Sequence, residues 1–158
     1  METRNAMTDP LSYLYVLHTN PFLFAATLHG FYDSLGPRDH SVLLAYLVLP
    51  VVLDQKNREF LNKAKSTSNL RTMMTRRDLL GGIPQRLEDY REVTMETLKY
   101  LVGSCQLEVN NNSVLIGPSP LTDFTAPSGT VSAARKLADF FKPFDVPTIY
   151  RSLGVMQL

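Results

Sequence analysis

Residues 20–53 read NPFLFAATLHGFYDSLGPRDHSVLLAYLVLPVVL, and their pattern decides the fold class. Asn20-Pro21 is a helix-start signal. The asparagine side chain can cap the first free N–H groups, and proline suits the first helical position, where its missing N–H is not needed. The helix it opens is expected over Phe22 to about Leu35, apolar nearly all round: Leu23, Phe24, Ala25, Ala26, Leu28, Phe31, Tyr32 and Leu35. A helix without a polar face is surrounded by protein. Gly36-Pro37 ends it. Ser41 is then expected to cap a second helix with little polar surface, Val42 to Leu49 or beyond, which Pro50 should kink or end.

Upstream, Asp9-Pro10 repeats the start signal, and Leu11, Leu14, Tyr15 and His18 recur at helical spacing. Leu11 to Tyr32 contains no Asp, Glu, Lys or Arg and is long enough to span a bilayer. Six polar residues and the Asn20-Pro21 break interrupt it, and it is flanked by Asp9 and Asp33 rather than by basic anchors. It reads as buried helix, and no membrane partner is expected. Met1 to Pro10 has two acids, one arginine and no apolar run, so it is not read as a signal peptide.

Downstream the character changes. Gln55 to Lys65 alternates charge with Phe60, Leu61 and Ala64, a half-exposed helix. Ser66-Thr67-Ser68-Asn69 is a break and a cap leading into Leu70, Met73 and Met74. Leu79-Leu80-Gly81-Gly82 marks a turn, and Ile83-Pro84 starts a short helix through about Arg91. Thr94 is expected to cap a separate helix in which Met95, Leu98, Leu101 and Val102 form one stripe. Gln106 to Val109 and Ser113 to Ile116 flank three asparagines, which tolerate positive φ, and so predict a hairpin. Residues 118–129 form a long irregular connection rich in Pro, Ser and Thr. Helix resumes at about Thr130 with Val131, Ala134, Leu137, Ala138 and Phe141 inward, and Pro143 stops it. Asp145-Val146-Pro147 starts a last short helix that Gly154 ends.

The expected architecture is mainly α and a single domain over 1–158. Three helices followed by a hairpin across residues 55 to 117 are the order of a winged helix, with the hairpin as wing and the apolar helices flanking it.

Composition is that of a globular chain: 44% apolar residues and 20% charged. Sixteen Lys+Arg against fifteen Asp+Glu leave a net charge of +1, so no global field points to nucleic acid or membrane. The single cysteine, Cys105, excludes an internal disulfide and suits a cytoplasmic location; at a helix end it is read as a small buried hydrophobe. There is no P-loop, G-x-S-x-G, H-E-x-x-H or paired-cysteine motif. His18, His29 and His40 are evenly spaced, but Pro21 and Pro37 lie between them and break the helical register that a metal site would need. No catalytic, cofactor-binding or metal-ligating residue is assigned, and no cofactor is expected.

One charge feature stands out. From Lys56 to Arg77 there are seven basic residues against a lone acid, Glu59, a local +6. Lys63, Lys65, Arg71, Arg76 and Arg77 are the candidate contacts to DNA phosphates or to an acidic protein partner, with a solvated helix face as the plain alternative. Base reading is not expected, because Thr94 to Val102 offers a major groove only Lys99 and contains Glu96.

Several stretches together resemble the middle-component family of prokaryotic three-component ABC systems. They are Asn20-Pro21 with the apolar helix after it, Leu47-Val48-Leu49-Pro50-Val51-Val52-Leu53, Leu80-Gly81-Gly82-Ile83-Pro84-Gln85-Arg86, Thr94 to Leu101, Lys136-Leu137-Ala138-Asp139-Phe140-Phe141, and Ile149 to Val155. The resemblance implies a small non-enzymatic adaptor acting with an SMC-like or Rad50-like ATPase and a toxic effector, commonly a nuclease, as in Lamassu-type defence against phages and plasmids. Family members often carry a tryptophan in the penultimate helix, where this chain has Phe140 and Phe141. Beside the adaptor stands a reading of another class, a stand-alone winged-helix DNA-binding regulator, resting on the basic stretch and the hairpin. The apolar excess of residues 11 to 53 favours the adaptor, since some of that surface should face a partner.

Overall fold

The computed structural model describes residues 20–121 and 125–155. The first helix signal, Asp9-Pro10 with Leu11, Leu14, Tyr15 and His18, lies outside these residues.

The architecture is mainly α. Helix α1 is Pro21–Leu35: Asn20 Oδ1 accepts from the Phe22 N–H at 3.0 Å, and Gly36, at φ +73°, closes the last turn on the Tyr32 carbonyl. The chain continues through a 3-10 turn, Ser41–Leu44, into α2, Ala45–Val52, and then α3, Gln55–Asn62. Two short helices follow, α4 Leu70–Met74 and α5 Arg77–Leu80, and then the long α6, Ile83–Gly103. Strands β1, Leu107–Asn110, and β2, Ser113–Ile116, pair antiparallel with Asn110 opposite Ser113. Asn111 and Asn112 both take positive φ, as the two-residue turn requires. Helices α7, Thr130–Phe141, and α8, Val146–Ser152, complete the fold.

The most extensive helix contact is α1 on α7. Thr27 and Thr130 share a buried hydroxyl pair at 2.9 Å there, and Gly30 lets Val131 approach. Helix α2 is buried at Ala45 and at every residue from Leu47 to Val52, under α6, α7 and α3. Helix α2 is thus interior, whereas α1 leaves Phe22 exposed.

Four local expectations need correction. The helices expected before and after Thr94 are one helix, because no breaker separates Arg91 from Thr94; Thr94 is a buried interior residue and not a cap. The expected stripe is also rotated: Leu98 and Leu101 are buried, whereas Met95 and Val102 are exposed and Thr94 and Thr97 take the inner positions. Ser41 caps no helix of its own; its Oγ accepts the Val114 N–H at 2.9 Å and so ties β2 to the 3-10 turn. Cys105 is exposed rather than buried. It takes φ +59° at the end of α6, where its N–H meets the Val102 carbonyl and that of Gln106 reaches Leu101, a Schellman closure that usually recruits glycine.

Pro50 lies inside α2, which ends two residues later. The packing is not organised as the winged-helix order suggests. Helix α6 rests chiefly on α2 and α1, α3 on α7 and α2, and β2 lies against α1 and the 3-10 turn.

Candidate functional site

The basic stretch is shaped by what the end of α2 demands. A helix leaves its last carbonyls without intrahelical donors, and α2 ends inside protein, away from water. Two arginines supply the donors. Arg58 Nη1 bonds the carbonyls of Val52 at 3.2 Å and Leu53 at 3.1 Å. Arg86 gives Nε to the Pro50 carbonyl at 2.9 Å and Nη1 to that of Gly81 at 3.1 Å, and approaches Asp54 at 3.9 Å. Both charges complement the negative end of the helix. Arg58, counted among the seven basic residues, is therefore committed to the fold.

Asp54 also accepts the Asn57 N–H at 3.1 Å and starts α3, which turns Leu61 into the core and Lys56 outward, with Lys63 exposed just past its end. The following turn is tied at both ends: Lys65 N–H to Ser68 Oγ at 3.2 Å, and Ser68 N–H to the Lys65 carbonyl at 2.9 Å. Asn69 and Thr72 cap each other and start α4. The chain thereby returns alongside α3 and encloses a groove of about 470 Å3. Lys56, Lys63, Lys65 and Arg76 line it over a floor of Phe60 and Ala64. The Phe60 ring packs edge-on against Phe140, with centroids 6.4 Å apart, which fixes the floor to the core.

The groove is not uniformly basic. Glu59 and Asp78 line it too. Arg76 holds Asp78 in a two-bond fork, Nε to Oδ1 at 3.0 Å and Nη2 to Oδ2 at 2.9 Å. That bonding keeps the Asp78 carboxyl below the usual carboxylate range.

Of the five candidate contacts, the structure brings Lys63, Lys65 and Arg76 to one groove. Arg71 and Arg77 are exposed but do not line it. Lys56 belongs to the set, and its place one turn before Phe60 and two before Lys63 was a usable signal. Asp78 lies one residue beyond the basic stretch, so the charge pattern of residues 56–77 does not reveal the Arg76–Asp78 pair.

Elsewhere the chemistry is sparse. His29 sits half-buried on α1 beside the Asp33–Arg135 ion pair, whose atoms are 2.8 Å apart; His40 is exposed. Among the described residues, no three His, Cys, Asp or Glu side chains are grouped to hold a metal ion, and no helix is long and apolar enough to cross a membrane.

Compared with known proteins, the sequence matches one family model over residues 8–157, that of the ABC-three component (ABC-3C) system Middle Component 3. No curated protein and no solved structure matches it.

Proposed function

We propose a function from one premise: this chain belongs to the ABC-three component system Middle Component 3 family. It is a non-catalytic adaptor that docks an SMC-like or Rad50-like ABC ATPase in the cytoplasm and holds an effector, a nuclease, idle until foreign DNA is sensed. The setting is a Lamassu-type defence against phages and plasmids.

The observation that carries this reading is the extent of the family match, 8–157, which takes in the whole described fold. A middle component works with the other subunits of its system. The exposed surface offers the groove beside α3 for such work.

The regulator reading finds no support in α6. Glu88, Asp89, Glu92 and Glu96 are all exposed on that helix, and its two lysine or arginine partners there, Arg91 and Lys99, lie 3.8 Å from Glu88 and 3.2 Å from Glu96. A helix so acidic is repelled by the phosphates beside a major groove.

The test is co-purification. The tagged chain, expressed with the products of its two flanking genes, is expected to bring both down, and omitting it from the set is expected to release effector toxicity. Recovery of neither neighbour would remove the adaptor reading.

A further inference from the structure

The groove beside α3 can be read more closely than as a positive patch. Its cations are fewer than the sequence count suggests. Arg58 is spent on α2 carbonyls, Arg76 is held by Asp78, and Arg71 and Arg77 lie elsewhere. Lys56, Lys63 and Lys65 remain: exposed point charges on flexible stems around one opening.

Duplex DNA presents a phosphate about every 1.7 Å of axis, and a surface that grips it gains from an unbroken run of cations. Here Glu59 and Asp78 interrupt the run. Phosphate contact also makes no use of an apolar floor, yet Phe60 and Ala64 provide one. A volume of about 470 Å3 lies in the range of binding pockets, about 300–1,000 Å3, and leaves room for a seated side chain. An apolar side chain seated there loses its water against the Phe60 ring, while carboxylates on either side of it reach the three lysines.

We propose that this groove seats an acidic peptide segment of a partner protein, with one apolar side chain on Phe60 and Ala64 and carboxylates on Lys56, Lys63 and Lys65. The identification of that partner as another subunit of the three-component system rests on the adaptor reading. The peptide chemistry does not.

The test uses the full chain and fluorescence anisotropy. The probes are a labelled short peptide of Asp and Glu around one central Leu, the same peptide with Ser for Leu, and single-stranded and duplex DNA of matching charge. The Leu peptide is expected to bind saturably, the Ser peptide several-fold more weakly and the DNAs more weakly still. Lys63→Glu/Lys65→Glu, both at exposed positions, should weaken the Leu peptide about tenfold or more. Arg71→Glu/Arg77→Glu, outside the groove, should leave it within about twofold.

The proposal is overturned if the Leu peptide does not bind, if Leu and Ser peptides bind alike, or if the groove variant binds as the native chain does. Tighter binding of either DNA, lost in the same variant, would reassign the groove to nucleic acid. Self-association of the chain that the groove variant abolishes would assign it to a second copy and likewise overturn the proposal. Co-purification separates the two readings. Peptide binding by a chain that recovers neither neighbour sinks the adaptor alone; intact recovery without peptide binding sinks the groove alone.

Discussion

Among the described glycines, Gly117 marks the closest backbone approach. A Cβ built there would lie 2.2 Å from the Cys105 carbonyl oxygen and 3.0 Å from the Gln106 carbonyl carbon, both backbone atoms that cannot swing aside. The approach is held by Gly117 N–H to the Gln106 carbonyl at 2.9 Å and Ser119 N–H to that of Cys105 at 3.0 Å. Gly117→Ala is therefore expected to cost about 2 kcal/mol or more, because the hairpin exit must move; a urea-unfolding midpoint equal to that of the native chain would show that it need not. His29 gives a pH dependence whose sign is determined. Burial lowers its pKa, partly countered by Asp33 and reinforced by Arg135. The unfolded chain then binds the proton more readily than the native one. The stability linked to His29 is complete above the unfolded value of about 6.5 and is lost as pH falls from there through the lowered native value. His29→Gln should flatten that part of the stability–pH curve measured by urea unfolding, and an unchanged slope would assign the titration elsewhere. At this scale residue types are plain in the sequence but their commitments are not. Arg58 and Lys63 read alike as surface cations, yet one closes a helix end and the other lines the groove, a division set by where α2 terminates.

Four helix starts are legible because each rests on a local side-chain-to-backbone bond. Asn20, Asp54, Asn69 and Asp145 all accept an N–H from the first turn of the helix they precede. The hairpin was legible for the same reason, since its asparagines bring the turn geometry themselves. Helix α6 is not legible as one element, because threonine caps some helices and is buried in others, and local spacing does not say which. The difference has a sign that can be measured. Thr94 is fully buried and its Oγ1 has no hydrogen-bond partner among the described residues. Replacing a capping threonine by an apolar residue costs about 1 kcal/mol. Removing an unsatisfied buried hydroxyl while keeping the branched shape instead recovers its desolvation penalty, so Thr94→Val is expected to stabilise by about 1 kcal/mol. Thermal or urea unfolding decides it: destabilisation by Thr94→Val would mean that the hydroxyl is bonded after all. The sequence marks the loops around α4 and α5 only as breaks, so the groove they form with α3 is not legible from it. Its walls come from one contiguous stretch, 56–78, but its floor is fixed by Phe140, about eighty residues further on.

That distance is the general reason why whole-molecule properties escaped the sequence. Helical periodicity shows that a face is apolar, and nothing in it shows what covers the face. Some of the apolar surface of residues 11 to 53 is expected to face a partner. Within the described residues, α6, α7 and α8 come back from up to a hundred residues away and cover most of it, while Phe22 stays exposed. Tyr150, on α8, donates its hydroxyl to the Leu43 carbonyl, and Arg38 reaches the carbonyls of Phe141, at 3.0 Å, and Phe144. One continuous cluster of buried residues draws on every element, from Leu28 and Phe31 through Leu61, Met73 and Leu107 to Phe141 and Ile149. The groove helix belongs to this cluster through Leu61 and, at its edge, Phe60. Phe141 is the clearest probe. It is fully buried, and its ring meets Phe31 edge-on with centroids 5.9 Å apart. Phe141→Ala removes that ring where backbone and neighbours are tied, so the cavity can collapse only in part, and the expected cost is about 3–5 kcal/mol. Against a typical total of about 5–15 kcal/mol, this is a large fraction of the stability of the fold. The loss should appear as a lower urea midpoint with an unchanged slope, and near-ultraviolet tyrosine signal and far-ultraviolet helix signal should fall together. If the helix signal instead separates into two transitions, α3 to α5 form a unit of their own, and the groove then opens independently of the core beneath it.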